Sequence, residues 1–448
     1  MLPSRNGPLP HGLPLMLDPA LPPTRQTPNF ARACRLWLTV GLISFGGAPA
    51  EIALFHRLVV AERRWVAEPS FTLGLAVALL LPGPEAHQLA TWLGICLHGV
   101  AGGLVAGLLF ILPGAVVMTG LAALYVAFAG APEVSALFFG LRGAVLAILT
   151  QALVGLARRA VSDRRAAVLA LASFVAASLF RLPPPAIVLA GGAVGLAAGF
   201  SRRGGLAQSA APEAPFAPGL GQTARRSAVG LLLLWAGAVC AAASSGGVLA
   251  EIGPFYAKVS ALSFGGAYAI LAWVTEEAVS RRGWVTAVEL VDGLALAETT
   301  PGPTILVLQF LAVLAAAREG GLLHGLTAGW VGIALLFLPS FALVLLAVPV
   351  AGRIAARDGP RAALAGISAA AVGLIASLAS RFALAVLFRG VDWIQFGSVR
   401  LPVPGQPDWA ACVVAGVGFV ALFRFRFGII ATLAACALCG ALLRAVLP

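Results

Sequence analysis

Two Pro-Gly-Pro triplets interrupt apolar segments of this chain, in "LLPGPEAHQLA" from Leu80 and in "TTPGPTILVLQ" from Thr299. Proline lacks a backbone N–H and clashes with the preceding helical turn, so each triplet should break a helix and free backbone groups. At membrane depth, freed groups must face protein or a water-filled cavity. A helix that restarts after the break points its first N–H groups into that cavity, where they favour an anion.

The segment SFGGA also occurs twice, from Ser44 and from Ser263. Its glycines let the backbone approach a ligand closely, and nearby hydroxyl groups can donate hydrogen bonds. We therefore predict one oxyanion pocket near the bilayer midplane, formed by four such elements. The predicted substrate-binding residues are Ser44, Gly46, Gly47, Pro82, Gly83, Pro84, Arg142, Ser263, Gly265, Gly266, Thr300, Pro301, Gly302, Pro303 and Thr304.

Ionisable side chains flank the breaks, although on insertion scales each costs roughly 2.5–3.5 kcal/mol at the bilayer centre. Glu85 and His87 follow the first triplet, and Glu298 precedes the second. We predict that these three residues are candidates for binding protons, because a protonated carboxyl group does not repel an anion. His87 can titrate near neutral pH, and a hydrogen-bonded packing role for it stays open.

Arginines are further candidates for contact with an anion. Arg142 lies inside the fourth apolar stretch and Arg381 inside the eleventh. A fixed cation within a span suits a dianion, with a salt bridge or snorkelling as the structural alternative. A second group of arginines is predicted to line a vestibule that attracts anions, unless these residues only set the topology. The vestibule residues are Arg63, Arg64, Arg281 and Arg282.

The composition places these residues in a membrane. Of 448 residues, 60% are hydrophobic and 11% are charged, and the mean hydropathy is +0.96, whereas soluble domains carry about 25% charged residues. The net charge of +12 lies in short clusters between apolar stretches, which is typical of cytoplasmic loops and does not indicate nucleic-acid binding. Among the six cysteines, Cys436 and Cys439 have CxxC spacing, but they lie on one helix face inside an apolar stretch. We interpret the cysteines as helix-packing residues and predict no metal site and no cofactor.

The apolar stretches predict an all-α polytopic membrane protein with about 13 transmembrane spans. The positive-inside rule places the N-terminus in the cytoplasm. One loop disagrees, because residues 56–65 carry three arginines and would lie outside. A re-entrant hairpin instead of a full first span would return this loop to the cytoplasm, and the sequence leaves both arrangements open.

A constant offset of 219 aligns Ser44 with Ser263 and the first Pro-Gly-Pro triplet with the second. The two copies start an odd number of predicted spans apart, so they should enter the membrane in opposite directions. Inverted repeats with broken helices at matching positions are typical of secondary transporters. We predict four parts: a disordered cytoplasmic tail (1–30), a first repeat (31–200), a cytoplasmic linker (201–226) and an inverted second repeat (227–446).

The segments "FGGAPAEIALFHRLVVAERRWV" and "LLPGPEAHQLATWLG", with "SFGGAYAILAWVTEEAVSRRGWV" and "TTPGPTILVLQFLA" in the second half, resemble the chromate ion transporter family in its long, two-domain form. The resemblance covers residues 31–446 and departs at "FGGAPA", where proline is expected directly after the glycines. It implies a multi-pass carrier of the bacterial inner membrane that exports chromate, confers chromate resistance and is not an enzyme.

A dianion that leaves a negative-inside cell gains about 4.6 kcal/mol per 100 mV, so the membrane potential favours export, and proton antiport would add to it. Chromate and sulfate are both tetrahedral dianions, so a sulfate or other oxyanion transporter of the same architecture stays open. An intramembrane reductase is disfavoured, because the sequence has no nucleotide-binding fingerprint. The oligomeric state is also open, with a homodimer among the alternatives.

Overall fold

The structure is a computed structural model that describes residues 28–200, 219–264, 266–355, 357–396 and 399–446. The predicted N-terminal tail up to residue 27, most of the predicted linker (201–218) and the predicted site residue Gly265 lie outside the described residues. Helix α8 begins at Leu220, so the last part of the segment predicted as linker is helical.

The described residues form sixteen α-helices and one antiparallel pair of strands. The helices are α1 (Phe30–Ile43), α2 (Gly47–Phe55), α3 (Glu68–Leu80), α4 (Glu85–Phe128), α5 (Pro132–Ala160), α6 (Arg164–Ser178), α7 (Pro184–Ala197), α8 (Leu220–Ser244), α9 (Gly247–Leu262), α10 (Ala267–Val274), α11 (Ala287–Thr299), α12 (Val307–Ala347), α13 (Ala351–Ala355), α14 (Asp358–Leu387), α15 (Trp409–Phe419) and α16 (Ile429–Val446). The strands β1 (Phe388–Phe396) and β2 (Val399–Pro407) form a hairpin after α14 that the sequence analysis did not predict.

Six helical stretches in the described parts of the chain are long and apolar enough to cross a membrane. They are Glu85–Phe128, Pro132–Ala160, Leu220–Ser244, Thr304–Arg353, Asp358–Leu387 and Ile429–Val446, and shorter apolar helices accompany them. These stretches support the predicted polytopic membrane protein, and the regular secondary structure of the described residues is helical apart from the β1–β2 hairpin. The count of about 13 spans stays a prediction.

Helix α4 folds back on itself and does not run straight for its 44 residues. The helical conformation is interrupted at His98 and Gly99, and a Cβ added to Gly94 would lie 2.3 Å from the carbonyl oxygen of Gly102. Eight residues of straight helix would separate these two glycines by about 12 Å, so the two arms of α4 pack against each other. The first arm is therefore short and starts directly after the first Pro-Gly-Pro triplet.

Helix α12 reverses in the same way. Its helical conformation is interrupted at Gly321, where φ is +77°. A Cβ added to Gly325 would lie 2.5 Å from the carbonyl oxygen of Val313, so the arms on either side of Gly321 also pack together. Each Pro-Gly-Pro triplet thus precedes a helical hairpin.

The bounds of several elements repeat at the offset of 219. Helix α3 corresponds to α11, and the π-helical turn His56–Glu62 corresponds to the π-helical turn Thr275–Arg281. After a seven-residue insertion in the second half, the start of α5 corresponds to the start of α14. The same local sequence features therefore produce the same order of elements in both halves.

Glycines bring neighbouring helices into close contact. A Cβ added to Gly140 would lie 2.2 Å from the carbonyl oxygen of Cys436, and one added to Gly366 would lie 2.1 Å from that of Gly191. Small residues at such crossings are typical of membrane helix packing, where dispersion contacts replace much of the hydrophobic driving force. This packing holds α5 against α16 and α14 against α7.

Candidate functional site

Each Pro-Gly-Pro triplet hydrogen-bonds to the SFGGA segment of the other half. The N–H of Gly83 donates to the carbonyl oxygen of Ser263 at 2.8 Å, and the N–H of Gly302 donates to that of Ser44 at 2.7 Å. Residues 83 and 302 are equivalent at the offset of 219, as are residues 44 and 263, so the two bonds are copies of each other. The structure therefore joins the four segments that the sequence analysis assigned to one site in two pairs, each with one segment from either half.

Glycine is required at both breaks because the backbone is left-handed there. The φ angle is +130° at Gly83 and +97° at Gly302, a region that costs other residues about 1–2 kcal/mol. Space is also limited, because a Cβ on Gly83 would lie 2.5 Å from the side-chain nitrogen of Gln88. That nitrogen donates to the carbonyl oxygen of Pro82 at 2.7 Å and so braces the first break.

Helical structure resumes directly after each triplet. Helix α4 begins at Glu85, immediately after Pro84, and a 3₁₀ turn that leads into α12 begins at Thr304, immediately after Pro303. The first N–H groups of a helix have no partner within it, and they carry the positive end of its dipole. The broken segments thus supply backbone donors at the junction of the two halves.

Several buried polar atoms beside these breaks have no hydrogen-bond partner among the described residues. They are Ser44 Oγ, both carboxylate oxygens of Glu51, His87 Nε2, Gln88 Oε1 and Gln309 Oε1. Buried polar atoms are usually paired, so their concentration at the starts of α2, α4 and α12 sets this region apart. It can offer hydroxyl, amide and carboxyl groups to a polar ligand.

Glu298, at the end of α11, is buried and accepts a hydrogen bond from a side chain of α10. The hydroxyl of Tyr268 donates to its Oε1 at 2.7 Å, and Thr304 is also a neighbour of this carboxyl group. Glu51 of α2 lies close enough to act electrostatically on Glu298. The sequence analysis predicted Glu298 and Thr304 but missed Glu51, although a carboxyl group four residues after Gly47 in an apolar segment is a usable signal.

His87 lies in an aromatic pocket. Its Nδ1 is 3.1 Å from Ser340 Oγ, and its ring packs edge-on against Phe337 and Phe341, with centroids 5.0 and 4.3 Å apart. These contacts are those of a hydrogen-bonded packing residue, the alternative that the sequence left open. The other predicted proton-binding residue, Glu85, is partly buried at the start of α4.

Arg142 forms a bidentate ion pair that joins the two halves. Its Nε and Nη2 donate to the carboxylate of Asp292 at 2.7 and 2.9 Å, and the hydroxyl of Tyr125 donates to the same carboxylate at 2.8 Å. The sequence analysis predicted that the positive charge of Arg142 contacts an anion, but in this conformation the carboxylate of Asp292 balances it. Asp292, which is fully buried, was missed because its partner lies 150 residues away in the chain.

Arg381 is paired as well. Its Nη1 donates to Glu276 at 2.7 Å, and its Nη2 donates to the carbonyl oxygen of Ala177 at 3.1 Å. These contacts join α14 to the π-helical turn Thr275–Arg281 and to α6. Arg381 therefore stabilises helix packing here.

The predicted vestibule arginines lie where the π-helical turns end. The guanidinium of Arg63 stacks over Trp65 at 5.7 Å, and that of Arg282 stacks over Trp284 at 5.2 Å, in equivalent positions of the two repeats. Arg282 also pairs with Glu277 and Glu251, at 2.8 and 2.9 Å, and Arg281 lies 3.8 Å from Glu277.

Arg64 adopts a backbone conformation that is unusual for a residue with a side chain. Its φ is +54°, and the equivalent position in the second repeat is Gly283, with φ +63°. Within the described parts of the chain, no group of three or more His, Cys, Asp or Glu side chains could hold a metal ion.

Comparison with known proteins gives a consistent result. A family profile described as Chromate transporter matches residues 31–196 and 250–441. The chromate transport protein of Pseudomonas aeruginosa is 31% identical over 426 residues, which cover 94% of this chain and 93% of that protein. The chromate transport protein of Cupriavidus metallidurans is 28% identical over 371 residues, which cover 79% of this chain and 82% of that protein. No solved structure matches this chain.

Proposed function

The chain belongs to the chromate transporter family, and from this membership we propose that it is a secondary transporter that exports chromate from the cytoplasm across the bacterial inner membrane. Export of this kind would give the cell resistance to chromate. The observation that carries the proposal is the reciprocal pair of backbone hydrogen bonds, each from one break to the SFGGA segment of the other half. Nearby lie buried polar atoms that have no hydrogen-bond partner among the described residues.

The reciprocal bonds support a two-fold relation between the two halves, and the predicted odd number of spans between the copies supports their opposite orientation. A two-fold axis in the membrane plane would relate the two bonds, because it would superpose the Gly83–Ser263 bond on the Gly302–Ser44 bond. In transporters with such symmetry the substrate site lies at the repeat interface near the bilayer midplane. Movement of one half against the other would then expose this junction to each side in turn.

The proposed anion ligands are backbone donors and hydroxyl groups. The restarting helices after Pro84 and Pro303 supply N–H groups, and Ser44 supplies a buried hydroxyl that has no partner among the described residues. A tetrahedral dianion has acceptor oxygens on every side, so it can accept from both halves at once. We also propose Arg142 as a ligand in the loaded state, in which it would leave Asp292.

The proposed driving force is the membrane potential. A dianion moving outward through 100 mV gains about 4.6 kcal/mol. Proton antiport through Glu85, His87 or Glu298 would add the pH gradient to this force. Both driving forces predict that chromate efflux from the cytoplasm increases when the cytoplasm is made more negative than the outside.

Counterflow in proteoliposomes tests the proposal. Purified protein is reconstituted into vesicles loaded with unlabelled chromate, and entry of external tracer chromate is followed. We expect tracer accumulation above that of protein-free vesicles, and its absence would contradict the transporter proposal. Competition by external sulfate decides the breadth of the site, because equal inhibition by sulfate and chromate would favour a general oxyanion carrier.

A further inference from the structure

Glu51 is a buried carboxyl group that the proposed anion site does not explain. Its side chain is 1% exposed, and neither oxygen has a hydrogen-bond partner among the described residues. By contrast, buried Asp292 accepts from Arg142 and Tyr125. An ionised carboxylate without donors or a counter-charge is strongly disfavoured in a low-dielectric interior, so Glu51 is stable here as the neutral acid.

The groups that act on Glu51 reinforce this conclusion. The carboxyl groups of Glu298 on α11 and Glu85 on α4 are its electrostatic neighbours, and the phenol of Tyr268 on α10 is also within range. None of these groups is a cation. Glu298 already accepts a hydrogen bond from Tyr268, which favours its ionised form. Of Glu51 and Glu298, Glu51 accepts no hydrogen bond from the described residues and therefore takes the proton.

The basic groups near Glu51 in sequence are occupied elsewhere. On the π-helical turn that continues α2, His56 lies 2.8 Å from Glu68 and Arg57 lies 3.6 Å from Glu62. His87 on α4 is distant from Glu51 in sequence; its Nδ1 lies 3.1 Å from Ser340 Oγ, and its Nε2 has no hydrogen-bond partner among the described residues. No described basic side chain therefore forms an ion pair with Glu51.

Glu51 lies beside the proposed anion site. It follows Gly47 by one helical turn on α2, and residues at this spacing are neighbours on one helix face, about 5–6 Å apart. A Cβ added to Gly47 would lie 3.8 Å from Thr304 Oγ1, so α2 starts against the second break. A carboxylate at this position would repel a dianion bound at the breaks.

The two carboxyl groups are not part of the repeated framework. At the offset of 219, Glu51 corresponds to Ile270 and Glu298 corresponds to Leu79. One comes from each half and neither has an acidic counterpart, whereas the backbone donors at the breaks occur in both halves. The carboxyl groups thus add a separate function to a symmetric anion site.

We infer that Glu51, beside the hydrogen-bonded Glu298, binds one proton whenever the dianion is bound, so that the proton and the anion cross the membrane together. This inference rests on the proposed transport function. The step is a simple protonation: Glu51 carboxylate takes one proton from the side on which the anion binds and releases it on the side on which the anion leaves. The net charge moved is then one negative charge per chromate instead of two. The proton moves in the same direction as chromate, whereas in proton antiport it moves in the opposite direction.

The zero-flux potential measures this charge directly. Proteoliposomes are given a known chromate gradient at alkaline pH, where chromate is a dianion, and a potassium diffusion potential is varied until net chromate flux stops. For wild-type protein without a pH gradient we expect the zero-flux potential to change by about 59 mV per tenfold chromate gradient. Uncoupled movement of the dianion would give about 30 mV, and antiport of one proton would give about 20 mV.

The variant Glu51→Gln keeps the size of the side chain and removes its titration. We expect this variant to transport chromate with a zero-flux potential of about 30 mV per tenfold gradient and no response to an imposed pH gradient. The matched control is Glu133→Gln, which neutralises an exposed carboxyl group at the start of α5 and should behave as wild type. A wild-type value of about 30 or 20 mV, or a Glu51→Gln variant that still responds to pH, would overturn the inference.

The failure of this inference can be told apart from failure of the proposed function. Absence of chromate counterflow by wild-type protein would reject transport itself. If wild-type protein shows counterflow but its zero-flux potential changes by about 30 or 20 mV per tenfold chromate gradient, the transport function is retained and the role of Glu51 is rejected. If Glu51→Gln does not fold, the wild-type zero-flux potential and its pH response still decide, and dependence on sodium in place of protons would also reject the inference.

Discussion

The backbone N–H of Gly83 donates to the carbonyl oxygen of Ser263 at 2.8 Å, and this bond joins the helix break of one half to the glycine-rich segment of the other. Its copy runs from Gly302 to Ser44 at 2.7 Å. Because both donors belong to breaks and both acceptors end helices, neither half completes the junction alone. Changes at either break should therefore affect both halves.

Substitution at the two glycines should have unequal effects. Gly83→Ala introduces a Cβ at φ +130° that would meet the side chains of Gln88 and Ser340, at 2.5 and 3.1 Å. Gly302→Ala has the same kind of strain, but its nearest contacts are at 3.7 Å. We expect backbone strain to lower the free energy of unfolding by about 1–2 kcal/mol in Gly302→Ala, and we expect a larger decrease in Gly83→Ala.

Thermal unfolding in detergent and chromate counterflow measure these two effects. Gly237→Ala is the control, because nothing lies within 4 Å of a Cβ at this position of α8. It should leave transport unchanged and should raise the stability by at most about 1 kcal/mol, because Ala favours a helix interior over Gly. Equal stability of Gly83→Ala and the control would contradict the contribution of the first break.

The ion pair between Arg142 and Asp292 allows a structural role to be separated from anion binding. Arg142→Gln leaves a buried carboxylate without its partner, which costs about 3–5 kcal/mol. The double variant Arg142→Gln with Asp292→Asn removes both charges and should recover most of this stability. If Arg142 binds the anion, the double variant folds but does not transport chromate.

The measurement is counterflow by the single and double variants at matched protein levels, with thermal stability determined in parallel. Asp292→Asn alone is the control for the loss of the carboxylate. Restored transport in the double variant would show that Arg142 only stabilises the packing of α5 against α11.

Ser44 provides a test of the hydroxyl ligands. Its Oγ is buried without a partner among the described residues, so Ser44→Ala removes an unsatisfied group and should not destabilise the protein. We expect weaker chromate binding, by about 1 kcal/mol for one hydrogen bond, which corresponds to an increase in Kd of about fivefold. Ser260→Ala is the control, because its hydroxyl donates within α9 to Ala257. Unchanged Kd for Ser44→Ala would remove this hydroxyl from the site.

Arg64 has a strained backbone and is also predicted to attract anions in the vestibule. Two variants separate the strain from the predicted electrostatic role. Arg64→Gly relieves a left-handed conformation, with φ +54°, and should stabilise the protein by about 1 kcal/mol. Arg64→Lys keeps both the strain and the charge. If the vestibule attracts anions, Arg64→Gly raises the KM for chromate at low ionic strength, and high salt abolishes the difference.

Initial transport rates at several ionic strengths, with thermal stability of each variant, provide the data. Arg64→Lys should match wild type in both. A KM for Arg64→Gly that equals the wild-type value at low salt would leave Arg64 with a topological role alone.

The sequence by itself determined the class of this protein and the position of its breaks, because both depend on local properties. The share of apolar residues indicated a membrane protein, and the steric properties of proline placed the interruptions before Glu85 and Thr304. The offset of 219 could also be recognised, because equivalent residues stand in the same order in both halves.

Only the tertiary structure decided which groups meet. The bonds from Gly83 to Ser263 and from Arg142 to Asp292 join residues far apart in the chain, and no local pattern specifies such pairs. The lack of a hydrogen-bond partner for Glu51 among the described residues is likewise a property of its surroundings. A side chain's burial, charge balance and hydrogen bonds depend on which helices pack around it, so its chemistry is fixed only when the fold is complete.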